Sequence, residues 1–127
     1  MSGKILVVDD EVHVRMLLEQ TLEDLVEDYG LEIITSGDGL EALELIRSAV
    51  PDLVFLDVMM PQMNGYEVCK AVSKEPELQD VKIVLLTAKG QDVDRRQGRE
   101  MGAFKFMTKP FDPDEVLEMS KRFLNLG

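Results

Sequence analysis

The sequence has few of the features that mark secreted, membrane-embedded or nucleic-acid-binding proteins. Its single cysteine, Cys69, excludes an intramolecular disulfide and is typical of a protein in the reducing cytoplasm. No apolar run approaches the ~20 residues of a membrane span, and the start of the chain lacks the long apolar stretch of a signal peptide. Basic residues are also scarce: there are 14 of them against 25 acidic residues, and the formal net charge of −11 argues against direct nucleic-acid binding. We therefore expect a cytoplasmic protein without membrane insertion.

The length of the chain limits the number of domains. A chain of 127 residues predicts one domain with a single core, here residues 1–127. With 45% hydrophobic and 31% charged residues, the composition is that of an ordinary globular domain. The sequence shows no internal repeat, linker or low-complexity segment. Most of the acidic residues are expected to form a solvated surface.

Strand-like and helix-like segments alternate along the chain. Continuous apolar runs predict strands that are covered on both faces, as in a parallel sheet. The segments 31–36 and 103–108 are more mixed, as expected for strands at the edges of a sheet. The continuous runs are Ile5–Val8, Leu53–Leu56 and Ile83–Leu86.

The first helical pattern is a stripe of apolar residues spaced three and four apart, which predicts one buried helix face. Gly30 follows the stripe and is expected to end this helix. The stripe consists of Val14, Leu18, Leu22, Leu25 and Tyr29.

Three later helices are predicted from their first residues, because each has a capping side chain three residues before a glutamate. These pairs are Asp38 and Glu41, Asn64 and Glu67, and Asp112 and Glu115, the last with Pro113 at the first helical position.

A further helix, the fourth in chain order, is predicted near residues 90–101. This segment is highly polar and contains Gly98, so we expect it to be the most mobile element. Together the segments predict five β/α units, that is, a doubly wound α/β fold in which five helices flank a five-stranded parallel sheet.

Polar residues follow four of the predicted strands where those strands end. Asp9 and Asp10 follow the first strand, Asp57 the third, Thr87 the fourth and Lys109 the fifth. Two carboxylates about 4 Å apart repel each other by ~1 kcal/mol in water and by ~4 kcal/mol at an effective dielectric constant near 20, so the crowding needs a reason. Because parallel strands end at one edge of a sheet, these side chains are expected to converge there. Oxygen ligands of this kind suit Mg²⁺ together with an anionic substrate.

Four sequence blocks carry a resemblance to a known family. The blocks "LVVDDE" (6–11), "DLVFLDVMMPQMNGYEV" (52–68), "IVLLTA" (83–88) and "KFMTKPF" (105–111) cover the chain in order. The chain thereby resembles the CheY-like receiver domains of response regulators in two-component signalling. The resemblance implies a flavodoxin-like fold with strand order 2-1-3-4-5.

The resemblance also implies roles for the charged residues that follow the strands. Asp57 would accept a phosphoryl group from the phosphohistidine of a sensor histidine kinase or a histidine phosphotransfer protein. Asp9, Asp10, Asp57 and the backbone carbonyl of Met59 would hold Mg²⁺, with Mn²⁺ as an alternative. Lys109 would pair with the phosphoryl oxygens. The protein would then be a signalling domain that catalyses only its own phosphotransfer and slow dephosphorylation, and not an enzyme of metabolism.

Further residues would transmit and time the signal. By resemblance, Thr87 would hydrogen-bond the phosphoryl group and Phe106 would rotate behind it. This change would alter a face formed by the fourth helix, the fifth strand and the fifth helix, which would bind a downstream effector protein. Met59 and Lys89 would flank the approach of the hydrolytic water and so set the phosphate lifetime. The bond between Lys109 and Pro110 would be cis.

Several alternatives compete with this interpretation. An aspartyl phosphohydrolase normally has a second aspartate two residues after the nucleophile, where this chain has Met59. A flavodoxin-like cofactor binder needs a phosphate loop after the first strand, where this chain has carboxylates. A receiver used only as a docking scaffold would have lost some of the site residues. Phe104 and Lys105 stand where many transcription-factor receivers have two acidic residues, so a symmetric dimer through that face is in doubt. Whether the domain is free-standing or part of a longer regulator stays open.

Overall fold

The computed structural model describes residues 3–88, 96, 100 and 102–126. Its sheet contains five parallel strands in the order β2-β1-β3-β4-β5, so β2 and β5 are the edge strands, as their mixed composition predicts. The strands are β1 (Lys4–Val8), β2 (Glu32–Ser36), β3 (Leu53–Asp57), β4 (Lys82–Ala88) and β5 (Lys105–Lys109). The doubly wound α/β fold is therefore confirmed.

Four α-helices lie within the described residues, against five predicted from the sequence. The predicted fourth helix, near 90–101, falls mostly outside the described residues. Within it, Arg96 and Glu100 are helical and form an exposed ion pair of 3.2 Å. The helices are α1 (Val12–Tyr29), α2 (Gly39–Ala49), α3 (Gly65–Ser73) and α4 (Pro113–Phe123), and a 3-10 turn spans Pro76–Leu78. None of the helices in this part of the chain combines the length and apolar composition that crossing a bilayer requires.

Both faces of the sheet are buried, which explains the continuous apolar runs of the central strands. Successive side chains of a strand point to opposite faces. Val54 and Leu56 therefore pack with α2 and α3, while Phe55 of the same strand packs with α1 and α4. Cys69 is buried in the cluster that packs with α2 and α3, and burial raises the pKa of its thiol to about 12. Such a thiol stays protonated and acts as a packing group.

The helix ends agree with the sequence signals at all four predicted positions. Gly30 ends α1 in the left-handed conformation (φ 70°), Asp38 accepts a hydrogen bond from the Glu41 N–H, and Asn64 and Glu67 form a full capping box. Asp112 also caps α4, where its side chain accepts from the N–H of Asp114 and not from that of Glu115. Pro113 occupies the first turn of α4, where a missing N–H leaves no partner unsatisfied.

Candidate functional site

The carboxyl ends of the strands bring four predicted site residues to one edge of the sheet. Asp9 follows β1, Asp57 is the last residue of β3, Thr87 lies one residue before the end of β4, and Lys109 ends β5. Asp9, Asp57 and Thr87 are buried, with exposed fractions of 0%, 4% and 4%. Burying two carboxylates and a hydroxyl at the end of a sheet costs free energy unless partners compensate for it.

Lys109 is the partner that compensates for the buried carboxylates. Its Nζ lies 3.0 Å from Oδ2 of Asp9 and 3.2 Å from Oδ2 of Asp57, and the more exposed carboxylate of Glu11 is 3.9 Å away. Burial lowers the pKa of Lys109, but hydrogen bonds and charge attraction from Asp9 and Asp57 outweigh it, so the pKa lies above its usual value. The ammonium group is therefore charged at neutral pH.

Asp57 shows the opposite balance of forces. Burial and the negative charge of Asp9 raise its pKa from 3.8 to about 6, although Lys109 and the backbone N–H of Met59 pull it downward. The carboxylate is thus ionised at neutral pH but less stable in that form than an exposed aspartate. A binding partner with positive charge would relieve this cost.

Three carboxylates of this edge are close enough to share a cation. One oxygen from each of Asp9, Asp10 and Asp57 lies within 4.8 Å of the others, with Asp9 and Asp57 buried and Asp10 exposed. A set of carboxylate oxygens with one exposed member suits Mg²⁺, which keeps several waters and takes few protein ligands. The donor set therefore fits the ion that the sequence predicts.

Backbone hydrogen bonds fix the two buried carboxylates. Oδ1 of Asp9 accepts from the N–H of Glu11 at 2.9 Å, and Oδ1 of Asp57 accepts from the N–H of Met59 at 3.2 Å. The loop after Asp57 is also held to the sheet, since the N–H of Val58 donates to the Leu86 carbonyl at 3.1 Å. At Gly65 a Cβ would come within 2.6 Å of the Asp57 carbonyl, so only glycine lets α3 begin this close to the site.

The remaining predicted residues lie around this centre. Met59, two residues after Asp57, is exposed by 62%. Phe106 is half-buried and packs against the core cluster on the α2 and α3 face. The peptide bond between Lys109 and Pro110 is cis, the isomer that the family resemblance implies. Lys89 lies outside the described residues.

One residue near the site is not among those predicted from the sequence. Nη1 of Arg15, in the first turns of α1, donates to the backbone carbonyl of Asp9 at 2.6 Å. The only signal in the sequence is a lone arginine six residues after the first acidic residue, a position that a surface residue could equally occupy.

Comparison with known proteins agrees with this arrangement. Residues 5–121 match the sequence model of the family described as response regulator receiver domain. This chain belongs to that family. The family resemblance is thereby confirmed over most of the chain, and receiver domains serve signalling in two-component systems and not metabolism.

Two curated relatives contain a segment similar to this receiver domain. The alkaline phosphatase synthesis transcriptional regulatory protein PhoP of Bacillus subtilis (strain 168) is 44% identical over 124 residues, which cover 98% of this chain and 49% of PhoP. The protein named "Probable transcriptional regulator ycf27" of Cyanophora paradoxa is 46% identical over 113 residues, which cover 89% of this chain and 44% of that protein. The chain thus spans about half the length of the curated relatives it matches.

A solved structure agrees over the whole length of this receiver domain. The chemotaxis response regulator CheY4 of Vibrio cholerae superposes with a TM-score of 0.84 at 33% sequence identity, covering 97% of this chain and 99% of that one. The flavodoxin-like strand order is therefore shared with a receiver of known structure.

Proposed function

We propose that residues 1–127 form a single receiver domain whose Asp57 accepts a phosphoryl group from the phosphohistidine of a sensor histidine kinase or a histidine phosphotransfer protein. The observation that carries this proposal is the position of Lys109, whose Nζ lies 3.2 Å from Asp57 Oδ2 and 3.0 Å from Asp9 Oδ2. A fixed cation beside an ionised carboxylate at an open sheet edge suits transfer of an anionic group.

The transfer requires little covalent chemistry from the protein. A carboxylate oxygen of Asp57 attacks phosphorus, an O–P bond forms, and the N–P bond of the phosphohistidine breaks. The nitrogen keeps the electron pair of that bond, and the imidazole leaves in its neutral form because its other ring nitrogen carries a proton from the start. The nucleophile is already a carboxylate at neutral pH, because its pKa of about 6 lies below that value. No general base is therefore needed.

The acidic cluster would hold the metal ion that this chemistry uses. Asp9, Asp10, Asp57 and the backbone carbonyl of Met59 are the proposed ligands, with Mg²⁺ as the expected ion and Mn²⁺ as an alternative. When bound, the ion neutralises negative charge on the phosphoryl oxygens. Lys109 supplies a second positive charge from the protein itself, and its raised pKa keeps that charge available.

The phosphorylated state would be transmitted through Thr87 and Phe106. The Thr87 hydroxyl would bond a phosphoryl oxygen, and the Phe106 ring would move toward the space that the hydroxyl leaves. Thr87 pairs with Thr108 across the β4–β5 ladder, so this motion would reach β5 directly. The output face would include residues 90–101, the predicted fourth helix, which lie mostly outside the described residues. It would also include β5 and α4, which is the predicted fifth helix.

The exposed side chains of this face favour an effector protein as partner over a symmetric dimer that depends on acidic residues. Phe104 is half exposed and packs edge-on against Phe123 of α4 with 4.7 Å between ring centroids, and the Lys105 ammonium lies 6.0 Å from the same ring. Exposed aromatic side chains such as Phe104 are enriched at protein interfaces. An effector protein is the proposed occupant, whereas the net charge of −11 argues against nucleic acid on this domain.

The test of the phosphoacceptor is intact mass spectrometry after incubation with Mg²⁺ and a small phosphodonor. The parent protein and an Asp52→Asn variant should each gain one phosphate, because Asp52 binds the Lys4 N–H at the opposite end of the sheet. Asp57→Asn should gain none. A full adduct on Asp57→Asn would overturn the proposal.

The test of the switch uses amide chemical shifts with and without a phosphoryl mimic. In the parent, shifts should change around Asp57 and also around Phe106. In Thr87→Ala the mimic should still bind, but the changes near Phe106 should be lost. Equal changes near Phe106 in both proteins would contradict the role of Thr87.

A further inference from the structure

The hydrogen-bond ladder between β1 and β2 ends beside the acidic pocket, which is formed by Asp9, Asp10 and Asp57. Val8 pairs with Ser36, and the Asp9 N–H continues the ladder by donating to the Ser36 carbonyl at 3.2 Å. In a regular parallel ladder the next bond would run from the Asp38 N–H to the Asp9 carbonyl. The Asp38 nitrogen instead lies 3.4 Å from the Ser36 hydroxyl oxygen. The Asp9 carbonyl therefore does not receive this bond from the chain after β2.

The replacement is the guanidinium group of Arg15. Its Nη1 donates to the Asp9 carbonyl at 2.6 Å, a short bond from a charged donor. The guanidinium also lies beside Gly37, where a Cβ would come within 3.1 Å of the same Nη1 and crowd it. Arg15 thus fills the gap that opens where β2 diverges from β1.

The carbonyl that Arg15 binds belongs to the peptide between the two acidic residues of the pocket. Rotating this peptide would turn the Asp9 and Asp10 side chains relative to each other. Their oxygens lie within 4.8 Å of one another and of Asp57 in the observed arrangement. The bond from Arg15 therefore acts on the backbone that links two of the three carboxylates, alongside the contacts from the Glu11 N–H and Lys109 that hold the Asp9 side chain.

We propose that Arg15 is a positioning residue of the acidic pocket, which holds the Asp9–Asp10 peptide in the orientation that binds a divalent cation. This inference rests on the proposed function, since it assumes that the pocket takes such an ion. Arg15 acts through the backbone and not as a ligand, because a cationic side chain repels a metal ion.

Positioning and simple electrostatics predict effects of opposite sign. Removing a positive charge beside an acidic pocket strengthens the attraction of the pocket for a cation. Removing the group that orients two of the ligands weakens binding, and outer groups that orient metal ligands typically contribute about 10-fold or more to affinity. The direction of the change in Arg15→Met therefore separates the two effects.

The experiment measures the Kd of Mn²⁺, used alone as the probe, by electron paramagnetic resonance of the free ion with the full chain. Arg15→Met should bind Mn²⁺ about 10-fold more weakly than the parent. Arg15→Lys keeps the charge and one donor but loses the planar fork, so its Kd should rise by about threefold, within the spread of such effects. Arg47→Met is the matched control, because Arg47 binds Glu75 on a different part of the surface.

Thermal melting without metal shows whether each variant is folded. A Kd for Arg15→Met equal to or lower than that of the parent would overturn the inference. If Arg15→Met does not fold, Arg15→Lys decides: weaker binding supports the inference, and parental affinity overturns it. A parent that neither binds Mn²⁺ nor accepts phosphate would overturn the proposed function as well. If the parent does both, the proposed function stands and the Kd values of the variants decide the role of Arg15 alone.

Discussion

Lys109 and Asp9, which are 100 residues apart in the chain, form a hydrogen-bonded ion pair with 3.0 Å between Nζ and Oδ2. The side chain of Asp9 is fully buried and that of Lys109 is largely so. The same ammonium binds Asp57 at 3.2 Å, so one cation compensates for two buried carboxylates. Asp9 and Asp57 together therefore carry one more negative charge than Lys109 neutralises, and Asp10 adds a further one. That excess charge should make the stability of the fold depend on both pH and divalent metal.

The dependence on pH should act through Asp57. Its pKa is raised from 3.8 to about 6 on folding, so the folded state keeps a proton that the unfolded chain releases in this interval. The contribution of Asp57 to the free energy of unfolding therefore falls as pH rises through this interval. The amide of Asp57→Asn has no such proton to release, so its free energy of unfolding does not fall in this way. Between about pH 5 and about pH 7.5, the variant should gain about 1 kcal/mol in unfolding free energy relative to the parent.

Urea unfolding in metal-free buffer at several pH values measures this difference. Asp24→Asn is the control for removing a carboxylate, because Asp24 is an exposed aspartate of α1 away from the site. A difference between Asp57→Asn and the parent that is constant with pH would mean that the Asp57 carboxyl titrates normally.

Mg²⁺ should stabilise the fold, because it neutralises the excess charge of the acidic pocket. At a concentration 100-fold above Kd, binding adds ~2.7 kcal/mol to the free energy of unfolding, which for this chain length is roughly a 10 °C rise in Tm. Asp10→Asn should have a higher Tm than the parent without metal and a smaller rise with it. Thermal melts with millimolar Mg²⁺ test both statements. A parent Tm that does not respond to Mg²⁺ would count against the metal site.

The lifetime of the phosphorylated state should depend on Met59. Met59 is 62% exposed two residues after Asp57, and a thioether is too weak an acceptor to orient a hydrolytic water. Met59→Asn offers an amide that can orient the water, so phosphate should be lost faster than in the parent. Lys89→Ala should have the smaller effect, although Lys89 lies outside the described residues.

Phosphate release after removal of the donor measures these rates. The parent should dephosphorylate slowly, as expected for a signal that accumulates. Decay of Met59→Asn at the parental rate would show that another residue limits the access of water.

Ser120 offers a prediction about stability away from the site. Its hydroxyl is fully buried in α4 and has no hydrogen-bond partner among the described residues. A buried hydroxyl without a partner is unfavourable, and alanine also has the higher helix propensity. Ser120→Ala should therefore raise the free energy of unfolding by about 1 kcal/mol. In the control Ser73→Ala the gain should be smaller or absent, because the exposed Ser73 hydroxyl donates to the Lys70 carbonyl at 2.8 Å. Chemical denaturation compares the two, and a loss of stability in Ser120→Ala would indicate an unseen partner.

Local sequence signals predict most elements of the fold, but not all of their details. The apolar stripe of α1 and its end at Gly30 agree with the structure, since helix periodicity and the left-handed glycine are local properties. The start of α4 at Asp112 is confirmed as well, but Asp112 caps the second N–H of its helix, whereas Asp38 and Asn64 cap the third. Sequence spacing does not distinguish these two geometries.

The candidate site divides in the same way. The aspartates after β1 and β3 can be selected from the sequence, because a carboxylate at the end of a buried apolar run is unusual. The role of Arg15 cannot be selected, because it depends on the divergence of β2 from β1 and on the space beside Gly37. These features arise only when the strands are assembled.

Burial patterns and turn chemistry act over a few neighbouring residues, so the order of amino acids is enough to establish the fold class, the strands and helices and the residue types at the strand ends. Which of these charged groups lie close enough to interact depends on the assembled fold. Lys109 reaches both Asp9 and Asp57, and the burial of Asp57 beside Asp9 raises its pKa to about 6. Distances between atoms that are 52 to 100 residues apart, and the solvent that is excluded from between them, depend on the packing of all five strands.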